Sequence, residues 1–154
     1  MSLIPSFCLV GYAIQGHWVN QEISRVTAAK INHVAFRIRV CNKEYETYVL
    51  IKNTDTLVPA KYIERLFSKP TIQTPWMSCS NESWFEKVID TTENYGKASI
   101  IHSYFYHYVG KHIGMPVPKT CTDLVWRCCQ VVDANVKERF YPNKLIKEFY
   151  QCML

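Results

Sequence analysis

The chain is poor in several features that mark common classes of protein. It has no run of lysine or arginine, and its formal charge of +5 is scattered over 154 residues. A diffuse excess of that size reads as a solvated surface and argues against a nucleic-acid partner. No apolar run approaches the roughly 20 residues that span a bilayer. Met1 to Ile14 is apolar, but without a basic n-region or a small-residue cleavage site it reads as a first strand, not a signal peptide. Neither a repeat nor a low-complexity tract is present. The seven cysteines (8, 41, 79, 121, 128, 129 and 152) contain no Cys-x-x-Cys pair, so no zinc knuckle or dithiol redox site is indicated. His17, His33, His102, His107 and His112 include no two at a spacing of three or four. Neither a metal nor a cofactor is expected. With no export signal, reduced thiols in a cytoplasm are the simplest account of the cysteines.

What is present is material for a core. Apolar residues make up 48% and charged residues 20%, which excludes a disordered chain and suits one compact domain over residues 1–154. Residues 7–14 read as a buried strand and 21–30 as a short helix capped by Asn20. From His33 the sequence alternates. Val34, Phe36, Ile38 and Val40 take one face; His33, Ala35, Arg37 and Arg39 take a polar other face. Asn42-Lys43 is the expected turn, and residues 45–52 return as the second strand of a hairpin. Helices are expected over 59–67, 82–92, 98–109 (stopped by Gly110), from Cys121, and over 143–151 after Pro142, with 68–81 as loop. The expected class is α+β, a small antiparallel sheet or barrel packed against helices.

Cys121 is the residue with most chemical promise. A loop punctuated by Pro116 and Pro118 gives way there to a helical pattern, with Thr120 as N-cap and Leu124, Val125, Cys128 and Cys129 as the apolar face. A thiol in the first turn feels the positive end of the helix dipole, which favours the nucleophilic thiolate. It needs a base, and His33 on the hairpin is the best candidate; the competing reading is a half-exposed strand histidine without a role. The other four histidines suit surface or packing roles.

Several short stretches occur in a telling order. They are Ile23 to Thr27, Asn32-His33-Val34-Ala35-Phe36, Tyr95-Gly96-Lys97, Cys121-Thr122-Asp123-Leu124-Val125 and Tyr141-Pro142-Asn143-Lys144-Leu145. Histidine precedes cysteine, the reverse of papain. The arrangement resembles the circularly permuted NlpC/P60 (permuted papain-like) superfamily, which has bacterial, lecithin:retinol acyltransferase-like, phage and poxvirus members. Ala35 stands where glycine is commoner there, and Thr122-Asp123 stands for Ser-Glu. The resemblance covers about Gly11 to Tyr150. It implies a permuted papain-like fold and a viral or phage setting. It also implies a Cys121 nucleophile, a His33 base and an orienting polar residue on the second hairpin strand, for which Glu46 is the candidate. On a two-residue Asn42-Lys43 turn, however, Glu46 lies near Arg39, and Tyr48, Lys52 or Asn53 falls closer to the imidazole. The competing reading of Glu46 is a surface partner for Arg37 or Arg39.

The expected function is thiol-dependent hydrolysis or acyl transfer on an amide, ester or thioester, with peptides and lipid esters both open as substrates. The alternative is a non-catalytic protein of the same fold that grips a host factor; the aromatic cluster Tyr104, Phe105, Tyr106 and Tyr108 is material for such a surface, although aromatics at this density on a helix more often line a core.

Overall fold

The computed structural model describes residues 4–16, 18–48, 57–79, 83–96 and 100–153. Its frame is an antiparallel sheet of β1 (Ser6–Tyr12), β2 (His33–Val40), β3 (Lys43–Thr47), β4 (Leu57–Pro59) and β5 (Ile72–Gln73), in the order β4-β3-β2-β1-β5. The helices are α1 (Trp18–Thr27), α2 (Ala60–Phe67), α3 (Trp84–Glu93), α4 (Ile100–Tyr108), α5 (Cys121–Val131) and α6 (Pro142–Met153), with a 3-10 turn at Gly110–His112. The class is α+β. None of the described helices is long and apolar enough to cross a membrane.

Two strands lie where no strand was expected. β5 falls inside the proline-rich stretch expected to be loop, and β4 directly precedes α2. Each is too short to show an alternating pattern. β5 is held to β1 by backbone bonds outside the sequence signal: Thr71 N–H donates to the Gly11 carbonyl (2.8 Å) and Thr74 N–H to that of Leu9 (2.9 Å).

The hairpin turn sits one residue earlier than expected. Cys41 and Asn42 occupy its two central positions with φ of 51° and 63°, the left-handed pair that matches the twist of hairpin strands. Val40 then faces Lys43 and Arg37 faces Glu46, so Glu46 lies two residues nearer His33 than an Asn42-Lys43 turn allows.

Both faces of the sheet are covered. Phe7, Leu9, Val34, Phe36 and Ile38 pack against Trp84 and Val88 of α3, Leu124 and Cys128 of α5, and Leu145 and Phe149 of α6. Gly11 permits close approach of the last helix, since a Cβ there would lie 2.9 Å from Ile146 Cδ1. On the opposite face Cys8, Val10, Tyr12 and Ala35 meet Ile63 of α2. The face expected to be polar and solvated is thus roofed by α2, and His33, Ala35 and Arg37 are all buried.

Burying Arg37 demands a partner, and Glu46 supplies it from directly across the strand pair. Arg37 Nε donates to Glu46 Oε1 at 2.9 Å, Tyr12 Oη lies 2.8 and 2.9 Å from the two carboxylate oxygens, and Arg37 also reaches Glu64 of α2 at 3.2 Å. Removing one member of such a pair leaves an uncompensated charge, at a cost of about 3–5 kcal/mol. Arg37→Met should therefore lower unfolding free energy by about 3–5 kcal/mol in urea titrations, whereas Arg37→Met with Glu46→Leu recovers much of the loss. Equal destabilisation by the single and double variants would show that the charge pair is not what seats α2.

Candidate active site

The start of α5 is fixed by a buried carboxylate. Thr120 is extended (φ −145°, ψ 172°), and its hydroxyl oxygen accepts the Asp123 N–H at 3.1 Å, a side-chain N-cap. Asp123 is completely buried in the first turn, where negative charge suits the helix dipole. It accepts from Tyr95 Oη at 2.7 Å, Arg127 Nε at 3.1 Å and Arg139 Nε at 2.9 Å. The Tyr95 oxygen in turn accepts the Thr120 N–H at 2.9 Å. Residues on three segments thus clamp the two positions that flank Cys121 and Thr122.

Cys121, half-buried, opens the helix beside the first residues of β2. His33 opens β2, faces Tyr12 across the strand pair and is only 4% exposed. The nucleophile and base inferred from sequence are therefore brought together, and each alters the other. Burial opposes ionisation of the Cys121 thiol. The charge of His33, hydrogen bonding to it, and bonding to the Val34 backbone outweigh burial and hold the thiol below its ordinary pKa. Burial likewise opposes the imidazolium, and the Cys121 charge, its hydrogen bonding and the more distant charge of Glu46 hold His33 above its ordinary value. The Thr122 hydroxyl lies 3.9 Å from the sulfur.

The remaining thiols behave oppositely where they are buried. Burial pushes Cys8 up to about 12 and raises Cys128 and Cys129 well above the ordinary thiol range. Those three are packing residues in the two cores. Cys121 is the buried-site thiol whose surroundings favour the anion.

Glu46 is placed on the face of the sheet that carries His33, but its hydrogen bonds go to Arg37 and Tyr12. It acts on the ring through charge alone. Burial pushes its own carboxyl up against the pull of Arg37 and Tyr12. Tyr48 packs against the imidazole in a T-shaped pair, with centroids 5.9 Å apart and an interplanar angle of 75°. Burial raises its hydroxyl pKa, and the charges of Tyr62 and Cys121 add to that. Lys52 and Asn53 lie outside the described residues, as does His17. His33 Nε2 is buried with no hydrogen-bond partner among the described residues.

His107 is elsewhere, its Nδ1 2.8 Å from the Tyr141 hydroxyl, and His112 is exposed in the 3-10 turn. Among the described residues no group of three or more His, Cys, Asp or Glu side chains is placed to hold a metal ion. Sequence reasoning passed over Arg127, Arg139 and the clamping role of Tyr95, because their meeting point is made by tertiary structure. The signal for Asp123 was available in Thr120-x-x-Asp123, an acidic variant of the capping box.

The thiolate is present above the lowered Cys121 pKa and is lost as pH falls through it. Alkylation of Cys121 by iodoacetamide should therefore persist to pH values below the ordinary thiol range. In His33→Ala, where burial remains and the cation is gone, the midpoint should move upward by at least one unit. An unmoved midpoint would separate the two groups electrostatically.

Geometry and charge are the guide to what this arrangement does: no protein-family model matches the chain, and no curated protein matches it either.

Proposed function

We propose that the chain is a cysteine hydrolase or acyltransferase of the permuted papain-like type, with Cys121 as nucleophile and His33 as its base. One observation carries the reading: the thiol that opens α5 meets the buried imidazole that opens β2, and each favours the charged form of the other. Neither shift follows from packing, since burial opposes both charges. The order of strand histidine before helix cysteine supports the permuted type.

The chemistry that suits these groups has two halves. The Cys121 thiolate attacks the carbonyl carbon of an amide, ester or thioester. A C–S bond forms, and the carbonyl π pair moves to oxygen. The Cys121 backbone N–H, at the first helical position where no intrahelical acceptor exists, is the donor proposed to hold that oxyanion. Collapse breaks the bond to the leaving group, which takes the proton held by His33. Neutral His33 then accepts a proton from water, or from another acyl acceptor, as that nucleophile attacks the thioester. Release of the acyl product returns thiolate and imidazolium. The substrate is a peptide, amide or lipid ester.

The alternative, a binding protein that grips a host factor on the same scaffold, draws on one feature. Around α4, Ile101, Phe105, Tyr108, Val109 and Ile113 are exposed apolar side chains. Exposed apolar patches of this kind often mark interaction sites.

Cys121→Ala should abolish labelling by an electrophilic acyl probe and lower turnover of a responsive ester or amide at least about 10³-fold. The adduct should map to the peptide containing Cys121. Labelling that survives the substitution, on exposed Cys41 or Cys152 for example, would remove the proposed nucleophile. Full biological effect in a Cys121→Ala, His33→Ala variant would favour the binding reading.

A further inference from the structure

Resting on that reading, one question is what orients the base. Cysteine hydrolases ordinarily use a polar group on the far side of the imidazole. Here the natural candidate is occupied: both Glu46 oxygens contact Tyr12, and Oε1 also takes Arg37. His33 Nε2 finds no hydrogen-bond partner among the described residues.

Aromatic rings surround the imidazole instead. Tyr12 lies 5.7 Å from it, Tyr48 5.9 Å and Phe67 6.2 Å, centroid to centroid, with interplanar angles of 46°, 75° and 49°. The rings also brace one another, Phe67 being 5.9 Å from Tyr48 and 6.5 Å from Tyr12. They come from separate elements: Tyr12 ends β1, Tyr48 follows β3 and Phe67 ends α2. Such convergence is not an accident of one amphipathic face. The negative faces of aromatic rings attract a cation within about 6 Å, most strongly in a desolvated site.

We propose that Tyr48, Phe67 and Tyr12 form an aromatic cage that positions His33 and favours its cationic form. They are positioning residues acting through His33. Among the described residues, the ionisable groups facing the ring are Cys121 from α5, Glu46 from β3 with Arg37 of β2 behind it, and the hydroxyls of Tyr12 and Tyr48; α2 contributes uncharged Phe67, while its Glu64 turns to Arg37. The cage adds an attraction that none of these charges supplies.

The test is an NMR titration of the His33 ring beside the pH profile of Cys121 alkylation. Tyr48→Phe, Tyr48→Leu and Phe67→Leu are compared, each also in a Cys121→Ala background. Tyr48→Phe keeps the ring and should hold the His33 midpoint within about 0.2 units. Tyr48→Leu and Phe67→Leu should each lower it by about half a unit or more, roughly threefold in proton affinity, in both backgrounds. Cooperative melting shows which variants are folded, and either leucine variant suffices. Unmoved midpoints in the leucine variants, or an equal fall in Tyr48→Phe, would overturn the cage. A cage shift without any acyl-probe labelling leaves the cage standing and removes the hydrolase. His33-dependent labelling without a cage shift does the reverse.

Discussion

The arrangement depends on a single buried carboxylate. Asp123 sits in the first turn of α5, where the helix leaves its N–H groups without partners, and it gathers a tyrosine and two arginines there. None of these groups reaches the sulfur. Their effect is positional: the Tyr95–Thr120–Asp123 contacts leave the beginning of α5 one seat against the end of the sheet. A thiol two residues from that anchor inherits its precision. The arginines are half-exposed and the carboxylate fully buried, so the anchor combines an interior charge with solvated partners. That is a milder solution to the desolvation problem than burying both members.

A harsher solution appears on the other side of the sheet. Arg37 and Glu46 are both interior, facing each other in register, with Tyr12 completing the carboxylate's coordination. This pairing lets α2 lie over a strand face that carries a charge, and α2 brings Phe67 to His33. The acid-base pair is consequently enclosed from two directions. α5 delivers sulfur from the face of the main core, while α2 and Tyr12 close the imidazole from the other. Enclosure alone would neutralise both groups. Their mutual attraction reverses that tendency, which is why packing and reactivity have to be considered together.

Much of this was legible in the residues. The N-cap Thr120, the apolar spacing behind Cys121 and the alternation after His33 each rest on local periodicity, and the elements over 33–40, 60–67 and 121–131 follow them closely. The long-range partners were harder to read. Alternation assigned Arg37 to a solvated face, because a charged residue in a strand usually is solvated; a helix arriving from residues 60–67 overrides that rule. The turn at Cys41-Asn42 was displaced because asparagine tolerates the left-handed region at either central position, and cysteine there has no special preference to announce it. Glu46 was visible as a carboxylate near the histidine strand, but its engagement by Arg37 and Tyr12 depends on that displaced register. The three rings about His33 come from three elements, and no local pattern links them.

The packing of Gly11 against Ile146 has a consequence for how the chain acquires its shape. β1 is an inner strand of the sheet, between β2 and β5, yet the apolar side of β1 and β2 is covered by α5 and α6, which begin at residues 121 and 142. Contacts between β1 and α6 raise the contact order, and a ribosome must deliver the residues of α6 before the cover over Phe7, Leu9 and Phe36 is complete. Until those helices arrive, the apolar side of β1 and β2 is a sticky half-sheet without its lid.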